Sequence, residues 1–345
     1  METTFLNNLH GAEEDSDSMA HPNLIRLKSS VETATEDFLR RFPEGHADGL
    51  YDPIHYLMDL GGKRLRAVMA LSSAEAEGAH FTEALPAALA VELFHNFTLM
   101  HDDIMDAAPL RRGQDTVHAK WNSNAAILSG DAMFTLAQMA LSEMKSNELP
   151  RALRLFNQTS LEVCIGQQSD MAFETRNDVT IDSYLEMIRL KTSVLVAASL
   201  ALGAISAGAS EERVAIWYRL GEQLGLAFQM QDDLLDAFGD AATGKQIGGD
   251  ILANKKTFLR LHTWAQMDKQ SRAEFTAWDA IKDRPQEKIA YVKSAMVAAG
   301  ADVEARQRML GHVDSAMKSL DALNLDGQHR DWMKYIGDLV TERVA

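Results

Sequence analysis

The sequence predicts an all-α protein, and three features of its 345 residues carry that expectation. From Leu24 onward apolar residues recur at three- and four-residue spacing, the period of a helix with one buried face. The strong helix formers Ala, Leu, Met, Glu and Gln are abundant, whereas the chain holds only 7 prolines. No β-strand signal interrupts this pattern.

Residues 1 to 22 are polar and acidic, with Glu13, Glu14, Asp15 and Asp17 close together, and read as a disordered tail without defensible chemistry. Helices are expected over 24–42, 51–58, 64–78, 82–107, 120–146, 150–174, 180–209 and 212–239, then shorter ones between 256 and 343. Pro86 and Pro150 stand where two of these begin, and Arg112-Gly113, Gly208 and the QIGGD stretch near Gly248 stand where others break. No linker marks a boundary, so residues 23–345 are expected to form a single large bundle of long helices, with a smaller C-terminal helical lobe as the alternative.

Lysine plus arginine number 34 against 50 aspartates plus glutamates, a formal net charge of −16. That balance excludes a general nucleic-acid binder, which needs a basic face to displace counterions from phosphates. At 46% hydrophobic and 24% charged residues, wholesale disorder is excluded too. The one cysteine, Cys164, forms neither an intrachain disulfide nor a zinc-ligand spacing, so a reducing compartment is the simplest reading. The N-terminus lacks the basic-then-apolar order of a secretory signal. The apolar SVLVAASLALGAISAG stretch from Ser193 is short and rich in Ala, Ser and Gly, fitting a buried helix better than a membrane span. A soluble, cytoplasmic protein is expected.

Residues 94 to 106 read FHNFTLMHDDIMD, which places Asp102, Asp103 and Asp106 at i, i+1 and i+4 of one helix. Residues 228 to 236 read FQMQDDLLD and repeat that spacing with Asp232, Asp233 and Asp236. Like charges at i and i+4 destabilise a helix unless a cation bridges them. A single such cluster is readily explained as solvated surface on an acidic protein. Two copies with one spacing, both flanked by bulky apolar residues, argue for function instead. Carboxylate oxygens are what Mg²⁺ requires, and two clusters facing each other across a bundle would clamp a diphosphate through several Mg²⁺ ions. A di-iron bundle is set aside, because Glu92 and His95 supply only one Glu-x-x-His.

An anionic substrate approaching this protein needs local positive charge. GGKRLR supplies Lys63, Arg64 and Arg66 after two glycines, and PLRRG supplies Arg111 and Arg112 just after the first aspartate cluster. Lys245, Lys255 and Lys256 follow the second cluster. Any one of these reads as an ordinary solvated or capping residue. Lys191 does not, because a lysine beside the apolar SVLVAASLALG run requires an anionic partner. Together the basic residues bracket the aspartates in sequence.

These motifs, in order GGKRLR, HNFTLMHDDIMDAAPLRRGQDTVHAKW, ILSGDAM, GQQSDMAFE, LKTSVL and LGLAFQMQDDLLDAFGDAATGKQIGGDILANKKTFL, resemble the trans-isoprenyl diphosphate synthases of the polyprenyl synthetase family. The resemblance runs from about residue 50 to 260. It implies a helical bundle around an active-site cavity and a Mg²⁺-dependent prenyltransferase that joins isopentenyl diphosphate to an allylic diphosphate. By that resemblance Asp102, Asp103 and Asp106, with Asp232, Asp233 and more loosely Asp236, hold three Mg²⁺ ions on the allylic diphosphate. Arg111, Lys191 and Lys245 would contact the same diphosphate, with Lys255 on a loop near it. Isopentenyl diphosphate would be held by Lys63, Arg66, His95 and Arg112. Thr192 and Gln229 would place oxygens where the allylic cation develops.

The resemblance also bears on product length. Phe97 and Thr98, five and four residues before Asp102, point away from the metal site, and one aromatic followed by a small residue is similar to geranylgeranyl-forming (C20) types. Farnesyl diphosphate (C15) is the alternative. Family members are homodimers, and a homodimer is expected here. The sequence departs from the family pattern at Ala67, where proline is common, and at Asn254, where glycine often precedes the lysine. Rival readings are a class I terpene cyclase, against which QMQDDLLD and GGKRLR argue, and a non-catalytic subunit, against which both intact aspartate clusters argue.

Overall fold

Short polar side chains and prolines start the helices where the chain supplies them. Asn122, Thr180, Ser210 and Thr257 each accept a hydrogen bond from a backbone N–H in the first turn that follows. Prolines occupy the first or second helical position at Pro22, Pro53, Pro86 and Pro285, where the missing N–H has no intrahelical partner. The resulting all-α architecture is that of a computed structural model, which describes residues 21–144, 147–239 and 248–341. Lys245 and all but the last residues of the expected tail lie outside the described residues. The first described helix opens at Pro22, two residues earlier than expected.

The described residues fall into two compact units, one within Met1–Leu153 and Leu202–Ala209, the other within Arg154–Ala201 and Ser210–Ala345. The first contains α1 (Pro22–Leu39), α2 (Asp52–Asp59), α3 (Leu65–Ala76), α4 (Leu85–Met105), the short α5 (Val117–Lys120) and α6 (Ser123–Ser142). Its centre is the pairing of α4 with α6 and of α3 with α4. Alanines at 67, 70, 74, 87, 88 and 90 are fully buried and let α3 and α4 approach closely.

The second unit holds most of α7 (Leu149–Thr175), α8 (Ile181–Ile188), much of α9 (Val194–Ser206), α10 (Glu211–Phe238), α11 (Gly249–Leu252), α12 (Phe258–Gln266), α13 (Lys269–Ala277), α14 (Pro285–Ala298), α15 (Ala301–Ala322) and α16 (Gly327–Thr341). Its main packing is α10 against α15, and Phe173, Tyr184, Met230, Phe258 and Phe275 anchor one continuous apolar core.

Two findings differ from the sequence expectation. The span 180–209 is not one α-helix, because Arg189–Ser193 forms a π-helical turn in which the Val194 N–H reaches back to the Arg189 carbonyl. The span after Met105 holds a small antiparallel hairpin, Leu110–Arg111 with Gln114–Asp115. Its two-residue turn, Arg112-Gly113, has φ of +53° and +76°, the positive values that a type I′ hairpin requires. Two residues per strand leave no alternation for a sequence pattern to report. By length and composition two helical segments could cross a membrane, Ser123–Ser142 and Ile181–Ser206, but residues 193–206 are buried throughout.

Candidate active site

In the first unit the aspartates cluster at the C-terminal end of α4. Asp102 and Asp103 lie in its last turn, and Asp106 is the C-cap. The helix stops there because Ala107 turns left-handed (φ +50°), with Ala107 N–H bonded to Ile104 O and Ala108 N–H to Asp103 O, a Schellman closure. Carboxylates at this end meet the negative pole of the helix, so the position favours a cation beside them. Arg111, delivered by the hairpin, clasps Asp103 with two hydrogen bonds of 2.8 Å.

Four arginines of this unit, Arg64, Arg66, Arg111 and Arg112, lie around His95. Arg66 donates from Nη1 to His95 Nε2 at 3.1 Å; since arginine can only donate, His95 is neutral and carries its proton on Nδ1. Burial, then the charges of Arg66, Arg111, Arg112 and Arg64, hold the imidazole well below its usual pKa. Arg112 reaches back to donate to the carbonyl of Gly61, which ties the hairpin to the GGKRLR loop. Lys63 is exposed on that loop. Arg64 differs from its neighbours: it is buried, donates to Glu92 at 2.7 Å and to the Met58 carbonyl at 2.6 Å, and is structural. Glu92 also accepts from Asn96, so the Glu-x-x-His pair is not poised as metal ligands.

Phe97 stacks on Phe134 of α6 with centroids 5.3 Å apart and planes 21° apart, and touches Phe94 at 5.5 Å. Thr98 returns its hydroxyl to the His95 carbonyl at 2.7 Å.

In the second unit Asp232, Asp233 and Asp236 lie in the last two turns of α10, again at a helix C-terminus. Asp232 and Asp233 line a cavity of about 170 Å³ whose wall also includes Lys191, Thr192, Gln229 and Lys255; Asp236 is not part of that wall. The π turn places Lys191 and Thr192 there, since one extra residue per turn rotates them off the register of α8 and α9. Two glycines permit it: a Cβ on Gly166 would fall 2.3 Å from Lys191 N, and one on Gly225 would fall 2.5 Å from Ser193 Cα. Lys191 donates to Asp170 at 2.6 Å, the anionic partner its setting required.

A hydrogen-bonded chain orders the rest of the wall. Thr192 donates to Gln229 Oε1 at 3.1 Å, Gln229 donates to Asp233 Oδ1 at 3.1 Å, and the buried Tyr184 hydroxyl donates to Asp233 Oδ2. Burial, with the nearby charges of Asp250 and Asp232, nevertheless pushes the Asp233 carboxyl up to about 8. Asp236 accepts the Asp250 N–H at 3.0 Å and so fixes the start of α11. Lys255 lies 4.0 Å from Asp250.

These residues fit a hard divalent cation. Both clusters set carboxylates at helix C-termini, where the negative pole of the helix favours a cation beside them. Among the described residues no three His, Cys, Asp or Glu groups already converge as a ready-made metal cage. Mg²⁺ keeps waters and substrate phosphates among its ligands, so it needs only a few carboxylates from the protein. Asp170, Tyr184 and Asp250 were not assigned roles from sequence. The need of Lys191 for an anion was the only signal for the first, and none marked the other two.

A model of the family described as polyprenyl synthetase matches residues 47–298. The geranylgeranyl diphosphate synthase of Methanosarcina mazei is 43% identical over 245 residues, 70% of this chain and 74% of its own. The crystal structure of geranylgeranyl pyrophosphate synthetase from Pyrococcus horikoshii Ot3 superposes with a TM-score of 0.87 at 31% identity, covering 93% of this chain and 98% of the other. A geranylgeranyl pyrophosphate synthase from Corynebacterium glutamicum, solved with isoprenyl diphosphate and magnesium, gives 0.83 at 27% identity over 92% and 99% of the two chains. With its motifs in order, its helical architecture and these matches, the chain belongs to the polyprenyl synthetase family.

Proposed function

We propose that this protein is a Mg²⁺-dependent trans-prenyltransferase that adds isopentenyl diphosphate to an allylic diphosphate and releases geranylgeranyl diphosphate. The observation that carries the reading is the repeated aspartate cluster, set each time at a long helix C-terminus with basic side chains beside it.

In this reading Asp102, Asp103, Asp106, Asp232, Asp233 and Asp236 hold three Mg²⁺ ions on the allylic diphosphate. When bound, Mg²⁺ neutralises the charge that builds on the departing diphosphate. Arg111, Lys191, Lys245 and Lys255 bind the same group. Lys63, Arg66, His95 and Arg112 bind isopentenyl diphosphate, and the neutral His95 offers its Nδ1–H to a phosphate oxygen. Thr192 and Gln229 turn oxygens toward the developing allylic cation; the hydroxyl of Thr192 is already donated to Gln229, which leaves its lone pairs for that role. The double bond of isopentenyl diphosphate then attacks the cation, and proton loss to the departed diphosphate completes the elongation. Apolar walls exclude water, which would trap the cation.

Purified protein with Mg²⁺, isopentenyl diphosphate and dimethylallyl, geranyl or farnesyl diphosphate should yield geranylgeraniol after dephosphorylation. Farnesol as end product would shift the assignment to C15, and a cyclic hydrocarbon from one substrate would favour a cyclase.

Product length rests on Phe97, braced by Phe134 and Phe94. Phe97→Ala is expected to lengthen the main product beyond C20 in the same assay; an unchanged product would remove Phe97 from that role. A homodimer in the cytoplasm completes the proposal. Exposed apolar residues support the dimer, Leu128 (59%) and Met139 on α6 and, separately, Leu161 (57%) and Ile165 on α7. Light scattering should give twice the chain mass at micromolar concentration, and a monomer mass would contradict it.

A further inference from the structure

The strap of residues 253–257 between α11 and α12 carries Lys255, Lys256 and Thr257 to the cavity wall. Contacts on both sides of its start tie it in place: Lys288 to the end of the preceding helix, and the strap's own Asn254 to Asp279, which Arg260 in turn holds. Lys288 of α14, only 2% exposed, donates from Nζ to the Leu252 carbonyl at 3.2 Å. Asn254 donates from its side-chain amide to the Asp279 carbonyl at 3.1 Å. Arg260, at the start of α12, holds both Asp279 carboxylate oxygens at 2.7 Å.

We infer that Lys288, Asn254, Arg260 and Asp279 form a bracket that positions Lys255 for the diphosphate, acting through the strap without touching substrate. The inference rests on the function proposed above. Asn254 has φ +57°, a left-handed conformation that glycine adopts freely and asparagine tolerates, which accounts for the departure from glycine at this position. In exchange for the mild strain, asparagine gains a tie to Asp279 that glycine lacks. Burying Lys288 is otherwise unfavourable: burial lowers its pKa, with Arg260 and Lys282 adding repulsion against the attraction of Asp279. A structure that buries an ammonium only to grip one backbone carbonyl gains a fixed strap.

An already ordered strap spares the substrate the entropy of ordering it, so its loss raises KM more than it lowers kcat. Lys288→Met keeps the stem and removes the donor; Asn254→Gly keeps the backbone conformation and removes the tie. The test measures amide hydrogen exchange of the peptide covering 250–258, together with steady-state kinetics for the allylic diphosphate. Both variants should speed exchange in that peptide alone and raise KM about ten-fold while kcat stays within about three-fold, and Lys288→Arg should restore both values. Faster exchange with unchanged KM, or unchanged exchange in both variants, overturns the bracket. If the parent protein elongates no prenyl diphosphate, the function proposed above falls. Calorimetric binding of inorganic diphosphate with Mg²⁺ then decides the bracket by itself: weaker binding in both variants upholds it, and equal binding overturns it.

Discussion

Asp102→Asn is expected to lower kcat by roughly 10³-fold, and Asp232→Asn by a similar factor, because metal-mediated stabilisation of a leaving group contributes several kcal/mol. Asp103 and Asp233 are left in place because each holds named structural partners. Removing Asp103 would strand Arg111, and removing Asp233 would break its hydrogen bonds with Tyr184 and Gln229. Asparagine keeps the shape of the side chain while it removes the charge and replaces one acceptor oxygen with a donor amide, so the helices should persist while cation binding is lost. If both aspartates serve one diphosphate through Mg²⁺, the double variant should fall little below either single one, since residues that act as a unit are not additive. Steady-state kinetics with circular dichroism as the folding control checks this. Single variants retaining most of their activity, or effects that multiply in full, would contradict it.

The largest effect on stability is expected at Glu92. Glu92→Ala leaves the Arg64 guanidinium, 7% exposed, without its carboxylate, and stranding one member of a buried pair costs about 3–5 kcal/mol. The midpoint of the first denaturant transition should fall accordingly. Arg64→Met combined with Glu92→Leu should recover most of that loss, because an apolar pair of similar volume removes both buried charges together. The surface pair Arg26 with Glu75 is the contrast. There the side chains are 41% and 20% exposed, and Glu75→Ala should cost no more than about 1 kcal/mol. Equal losses at Glu92 and Glu75 would show that the Arg64 pair is not the anchor of the GGKRLR loop.

Arg64 also shows where sequence reading ran out. Within GGKRLR it looks the same as Lys63 and Arg66, three cations on a glycine-led loop. Only burial separates the structural arginine from its neighbours, and its carboxylate stands 28 residues away on α4. The helices were legible because each buries one face at a regular period, and the aspartates because the same spacing occurs twice. Asp170, Tyr184 and Asp250 are single polar residues whose partners are brought close by the fold, with no local spacing to mark them. The π turn was illegible for another reason: an i to i+5 bond leaves no periodic trace over five residues, yet it sets where Lys191 and Thr192 stand. Asn254 was visible only as an irregularity, and the positive φ explains it.

The most direct measurement is a crystal structure of the protein with Mg²⁺ and an allylic thiodiphosphate that resists ionisation. Mg²⁺ is expected to be coordinated by Asp102 and Asp106 and by Asp232, with all the ions on one diphosphate that Arg111 and Lys191 also touch. A diphosphate bound without metal, or metal held by one aspartate cluster alone, would contradict it.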